Sequence, residues 1–559
     1  MPQTDFDVIV LGSGAGGLSA AVTAAAHGLS VCVIEKDSVL GGTTAWSGGW
    51  IWCPGNEPAQ RAGLTEVPEA PLTYLRAVTG NHFDEPRVRA FLQAAPQMVA
   101  FFETETALQF EGGLKIPDTY GHQPGAGMGG RSVIAKPFDG RALGAAIDLL
   151  RLPLPETTFK GMTIQSGPDL RAFMTMTRSV KSFAYVTNRV VRHFWDLARY
   201  RRGMSLRNGS ALIGRLLRSA LDRGVVIKTD TVVLTLTQSG GHVGGVRLRD
   251  GTVLRARAGV VLATGGYPHD AVRRAETFVR NDEHRTLAVP TATGDGLHLA
   301  AAVGADTRTD QNSAAALCPV STVRWPDGRV GQFPHIIDRG KPGVIGVLAN
   351  GKRFCNEGLG YHDYVQAMQS ALPPEAPAKS WLVCDHRFLR RYGLGIVRPS
   401  PVPYQSWIRT GYLKTGKTIA DLARACGIDP VGLSQTVDHL NADAARGIDS
   451  AFGRGTTAYM RLQGDPDHGP NPNVAPIQTG PFYAVEVVPG SFGTFTGLRT
   501  DGQARVLTAD QQVIPGLYAA GADNASVFGG FYPAGGINLG PAMTFGFVAG
   551  RHAATGDTE

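Results

Sequence analysis

The sequence predicts an α/β fold: a domain of parallel strands that the C-terminus completes, with an α+β capping domain inserted into it. Three observations predict this. A β-branched run from Asp7 to Leu11 ends in glycines, an Ala-rich stretch from Leu18 to His27 stops at Gly28, and a second apolar run spans Ser30 to Glu35, which is a βαβ unit. Residues 480–559 are Gly-rich again and carry a further apolar run, Leu517 to Ala519, with a helix expected to start near Gly540. Between about Asn281 and Thr479 the pattern changes to longer loops and helices. A chain of 559 residues is too long for one core. The expected division is 1–285 and 480–559 for the first domain and 286–479 for the second.

Each element has a local cause. Glycine at 28 ends a helix because it tolerates the left-handed conformation of a C-cap. From Val225 to Thr264 the runs are short and alternating, broken at Gly240 and Asp250-Gly251, and end in the apolar run Val260 to Ala263; this reads as a β-meander returning to the main sheet. Residues 465–475 are loop, and no repeat of fixed period is present.

Composition narrows the function classes. With 43% hydrophobic and 18% charged residues the chain is globular. Its six cysteines have no CxxC spacing, which argues against a metal site or disulfide framework and for a reducing cytoplasm. The N-terminus has no basic n-region, so a Sec-type signal is not expected, and no apolar run is long enough for a spanning helix. The net charge of +7 suits an anionic cofactor or membrane surface. Nucleic-acid binding is not expected, because no recognition fold accompanies the charge.

Gly12-Ser13-Gly14-Ala15-Gly16-Gly17 fits GxGxxG after a strand and at the start of a helix. The first glycine permits the turn, the second lets a pyrophosphate approach, and the third lets helix and strand pack. Amide groups at the helix start then face the phosphates. Glu35, ending the second strand, is placed to accept from a ribose 2′-hydroxyl, which disfavours NADP. The first domain is therefore Rossmann-like. Gly41-Gly42-Thr43-Thr44 and Ser47-Gly48-Gly49 follow directly, where the extended middle of a flavin cofactor would lie. Ala263-Thr264-Gly265-Gly266 resembles the recurrent strand-end element of two-dinucleotide-binding-domain flavoproteins, and the segment Gly516 to Asp523 resembles their C-terminal flavin strand. The resemblance implies FAD, held non-covalently. It also places Lys36, Val233, Gly521, Ile537 and Leu539 beside the cofactor and Asp523 at its ribityl chain.

These elements resemble the fumarate reductase and 3-ketosteroid dehydrogenase superfamily over nearly the whole chain. Fumarate reductases clamp a dicarboxylate with arginine and histidine. Here the loop from Asn524 to Gly536 contains neither, and Val488 to Leu498 lacks histidine, so a carboxylate substrate is expected to find nothing to hold it. Tyr532 and Gly536, followed by Ile-Asn-Leu-Gly-Pro-Ala-Met-Thr-Phe-Gly, instead closely resemble the 3-ketosteroid Δ1-dehydrogenases, with Ala534-Gly535 where that family often has Gly-Pro. The resemblance implies that the Tyr532 hydroxyl and the Gly536 amide donate to the substrate's 3-keto oxygen, in the manner of an oxyanion hole. Gly351-Lys-Arg-Phe-Cys-Asn-Glu-Gly-Leu-Gly-Tyr361 is similar to the family segment whose final tyrosine abstracts the carbon 2 proton, with Gly360 in place of proline. Tyr361 is thus the implied base, with Tyr364 one turn on as the alternative. Tyr120 is the implied second tyrosine supporting the base, with His122 behind it.

The implied activity is FAD-dependent 1,2-desaturation of a 3-ketosteroid, with an external electron acceptor. The alternatives are another ketone desaturase of the superfamily, for example at carbons 4 and 5, and more distantly a fumarate-type reductase. Residues 150–207 form an insertion whose part from 171 to 207 is rich in arginine and aromatic residues. Two readings stand for it: a peripheral contact with the inner face of a membrane, or packing on its own protein with a solvated basic face.

Overall fold

A computed structural model describes residues 3–556. The strand Asp5–Leu11 is completely flanked in the main sheet: it pairs in parallel with Val31–Ile34 on one side and with Val253–Leu262 on the other. Both faces of such a strand are covered, which is why its residues are apolar almost without alternation. Val513–Ala519 adds in parallel beyond Val253–Leu262, with Leu517 opposite Val260. The C-terminus therefore completes the first domain, as its composition implied. The strands Val233–Ser239 and His242–Leu248 form the expected hairpin, turning at Gly240 and Gly241, both with positive φ.

The helix Ala15–Ala26 starts three residues before the apolar run that signalled it, directly at the glycine loop. It packs closely on the last long helix, Leu539–Thr555. A Cβ on Gly546 would lie 2.3 Å from the Gly16 carbonyl oxygen, and one on Gly550 would lie 2.5 Å from that of Ala20. The glycines let the two backbones touch.

The second domain is built on a largely antiparallel sheet centred on the long strand Phe482–Thr494, which pairs with Ala315–Arg324, Ser380–Cys384 and Lys414–Gly416. The divide expected at 479/480 thus falls just before a strand of the second sheet; beyond that strand the chain returns to the first.

The inserted segment folds as two helices, Pro168–Thr175 and Val180–Tyr200. Their polarity is inverted. The inward face of the longer helix holds Arg189, His193 and Asp196, with Arg189 bridged to Asp169 at 2.5 Å. Away from that face and from the cavity, Trp195 is 70% and Phe183 54% exposed.

Candidate active site

A cavity of about 1730 Å³ runs from the glycine loop into the space between the domains. Its wall takes in every residue expected at the cofactor except Gly17, Gly41 and Asp523. Gly12 has φ +100°, and a Cβ there would lie 2.2 Å from the Ala263 carbonyl oxygen, so the two loop turns abut. A Cβ on Gly17 would meet the Gly12 carbonyl at 2.0 Å, which makes it a packing position behind the wall. Gly41 donates its amide to the Ser13 hydroxyl at 2.9 Å, and that hydroxyl donates to Glu35 at 2.6 Å. Glu35 thereby fixes the glycine loop while still lining the cavity. Lys36 is tied to Asp295 at 2.6 Å.

Asp523 departs from its implied position at the ribityl chain. It is buried behind the wall, where its carboxylate accepts from the Thr264 amide at 2.6 Å and the Gly266 amide at 2.8 Å. The donors of the turn at 263–266 claim it, and its work is to join that turn to the C-terminal strand.

The residues present fit FAD. Gly14 opens the helix without a side chain, and a Cβ there would approach only the Thr44 hydroxyl, at 3.6 Å, so the space in front of the helix amides is free. Thr43, Thr44, Gly265, Gly521, Ile537 and Leu539 carry the wall onward from there toward the reactive end.

At that end stand Tyr361, Tyr532 and Gly536. Tyr361 is the first residue of the helix Tyr361–Ala371, and Tyr532 lies on the loop before the last helix. Their rings meet edge to face with centroids 4.9 Å apart, which brings the two hydroxyls close enough to influence one another's proton affinity. Phe492 closes the other side of Tyr361 at 5.4 Å. Gly536 has φ +103°, and a Cβ would lie 2.7 Å from the Trp52 amide nitrogen. Only glycine lets the chain pass there.

Burial holds the Tyr361 hydroxyl well above the ordinary tyrosine range, and Tyr532 beside it adds to the rise. Burial likewise raises Tyr532. Tyr364 is directed elsewhere: its hydroxyl pairs with Ser380 at 2.9 Å in the core of the second domain. Tyr120 does not line the cavity. It sits behind the wall and donates to Asp363 Oδ1 at 2.8 Å, because that buried carboxylate is the stronger acceptor within its reach.

Sequence reasoning missed four residues here. Asn538 donates to the Tyr532 hydroxyl at 3.1 Å, Tyr459 and Phe492 line the reactive end, and Asp363 lies behind it. Asp363 stands two residues after Tyr361 and was within reach of a motif reading; Tyr459 comes from a segment with no motif. Among the cations that line the cavity are Arg398, which donates to the Glu156 and Thr158 carbonyls, and Lys341, which donates to the Gly464 carbonyl at 2.6 Å. The expectation that nothing would hold a carboxylate therefore applies to the loop and not to the whole cavity.

The FAD binding domain model matches residues 7–539. A 3-oxosteroid 1-dehydrogenase of Mycobacterium tuberculosis is 35% identical over 99% of this chain and 99% of its own. The chain belongs to the 3-ketosteroid Δ1-dehydrogenase family of FAD-dependent oxidoreductases. It is also 40% identical, over 98% of its length and 93% of the relative's, to a 4-oxocyclohex-2-ene-1-carboxylate 5-dehydrogenase of Sinomonas cyclohexanicum. The crystal structure of a 3-ketosteroid Δ1-dehydrogenase from Sterolibacterium denitrificans, in complex with 1,4-androstadiene-3,17-dione, superposes with a TM-score of 0.91 at 34% identity, covering 99% of this chain and 100% of that one.

Proposed function

We propose that this enzyme desaturates a 3-ketosteroid between ring carbons 1 and 2. The observation that carries the reading is the meeting of Tyr361, Tyr532 and Gly536 on one wall of a large cavity. Tyr361 takes the proton from carbon 2. The Tyr532 hydroxyl and the Gly536 amide donate to the ketone oxygen as it becomes an enolate, a stabilisation of about 3–4 kcal/mol per fixed donor. Asn538, by donating to the Tyr532 oxygen, leaves that hydroxyl's own proton for the ketone. Bound FAD supplies the acceptor for the hydride that leaves carbon 1, and an external acceptor reoxidises it.

Beyond the tyrosines the cavity continues along Leu170, Phe173, Val190 and Phe194 of the two inserted helices, an apolar length suited to fused rings. The outward aromatic and basic face of the same helices supports docking on an anionic membrane surface, from which an apolar substrate would enter. No helix among the described residues is long and apolar enough to cross a membrane.

A second reading, desaturation of a single-ring 4-oxo carboxylate, is favoured by the 40% identical relative and by Lys341 and Arg398 in the cavity. The proton and hydride steps are the same in both. Anaerobic mixing of the purified protein with androst-4-ene-3,17-dione, and separately with 4-oxocyclohex-2-ene-1-carboxylate, decides between them. Bleaching of the flavin absorbance by the steroid at low concentration is expected, and bleaching by the carboxylate alone would replace the first reading by the second.

A further inference from the structure

A buried tyrosine whose proton is held above the ordinary range is a poor base unless some other group takes up charge. Among the described residues no hydrogen bond joins the Tyr361 or Tyr532 hydroxyl to a carboxylate or cation, but one carboxylate lies immediately behind them. Asp363 stands at the third position of the helix that Tyr361 begins. A carboxylate at that position commonly turns back to the N-cap amide. Here Oδ1 instead accepts the Tyr120 hydroxyl at 2.8 Å, and Oδ2 is buried with no hydrogen-bond partner. Buried carboxylates usually collect several donors, and this one keeps an oxygen without a partner. Gly360 makes the room: a Cβ there would lie 2.3 Å from Oδ2, and 3.2 Å from the Thr119 side chain that brings Tyr120 against this helix.

We propose that Asp363 is the proton acceptor of the site, acting through Tyr120; this rests on the reading of Tyr361 as base. With its O–H committed to Asp363, Tyr120 offers only lone pairs to its neighbour Tyr459, which is also the neighbour of Tyr361. As the Tyr361 oxygen gains the carbon 2 proton, its own hydroxyl proton passes by way of the Tyr459 hydroxyl to the Tyr120 oxygen, and the Tyr120 proton passes to Oδ1. The ketone becomes an enolate, the carboxylate becomes a carboxylic acid, and no phenolate remains. Asp363 is therefore a positioning residue for the proton step and does not touch substrate.

The groups that face Asp363 are Tyr120 and Tyr74 from one side, Tyr459 of the helix Ala458–Gln463 from another, and the Arg339 guanidinium behind. Burial raises its pKa to about 6, with Tyr120 and Arg339 opposing the rise. Its proton-accepting form is present above that pH and lost as the pH falls through it.

The test is stopped-flow flavin reduction of the FAD-loaded enzyme across pH, with solvent deuterium exchange at carbon 2 of the ketone as a second readout. The wild type should show an acid limb near pH 6, and Asp363→Asn should keep its FAD and its KM, lose about 10²-fold in reduction rate as expected for impaired acid–base catalysis, and lack that limb. Asp363→Glu should restore part of the rate. Tyr120→Phe should remove the same limb, and the double variant should be no slower than either single one, since the two act as a unit. Persistence of the limb in Asp363→Asn would overturn the proposal. If Asp363→Asn does not fold, persistence of the limb in Tyr120→Phe would do so equally. If Tyr361→Phe leaves reduction and exchange unchanged, it is the assignment of the base that fails.

Discussion

The ring of Tyr361 stands at 74° to that of Tyr532, the one carried by a helix of the second domain and the other by the loop that leads back into the first. Two tyrosines from opposite domains thus share one edge of the cavity, and they should fail differently. On the proposed roles, Tyr361→Phe keeps the carbonyl donors and removes the base. Ketone binding should persist while flavin reduction falls by about 10²–10⁴-fold, and exchange of the carbon 2 hydrogen in heavy water should stop. Tyr532→Phe should slow reduction comparably and also weaken ketone binding, because it removes a donor to the oxygen.

Tyr364 is the control. Its hydroxyl meets only Ser380 in the second core, so Tyr364→Phe should cost about 1 kcal/mol in denaturant unfolding and leave flavin reduction at the wild-type rate. A large loss of rate at unchanged stability would return Tyr364 to the list of bases.

The two glycines of the cofactor turn should separate folding from binding. Gly12→Ala places a methyl against the Ala263 carbonyl at a φ of +100°, and strain of about 1–3 kcal/mol plus the clash should lower the melting temperature of cofactor-free and loaded protein alike. At Gly14 the chain has room, so Gly14→Ala should fold and purify with less flavin. In the wild type, acid denaturation should release yellow flavin into the supernatant, as a non-covalent cofactor requires.

Phe183 and Trp195 are exposed on the outer face of the inserted helix and do not line the cavity. Replacing both by Ser should reduce co-sedimentation with anionic liposomes and leave turnover of a dissolved substrate unchanged. Wild-type binding should weaken at high salt, since exposed charges are screened within about 8–10 Å at physiological ionic strength. Equal sedimentation of variant and wild type would favour the packed-insertion reading.

Lys341 gives a pH signature. Burial lowers its pKa from 10.5 to about 8, so between those values the unfolded chain binds more protons than the folded one. Stability contributed at this position therefore rises with pH across that window, and a comparison of wild type with Lys341→Met by denaturant melts at pH 7 and pH 10 should show the wild type gaining on the variant. A carboxylate ligand beside Lys341 should raise this pKa and shrink the effect.

Much of the cofactor half was readable in the chain itself. The turn at Gly12 to Gly17, the acid at Glu35 and the strand ends at Ala263 and Gly521 are local features, because glycine freedom, strand length and helix start act over a few residues. Tyr361, Tyr532 and Gly536 were marked by motifs for the same reason. What no local pattern carries is which side of a wall a side chain takes. Asp523 turned from the cavity to the amides of the turn at 263–266, and Tyr120 turned from the tyrosines to Asp363, since a buried charge and its nearest donors find each other across any separation in sequence. Tyr459, Lys341 and Arg398 reach the cavity only through the packing of the second domain. The strand Phe482–Thr494 joined the second sheet because its partners lie there, residues that contact it only once the chain has closed. Sequence determined the glycine-rich turn that suits a cofactor and marked the candidate reactive residues; the tertiary structure decided which of the polar groups around them line the cavity and which face one another.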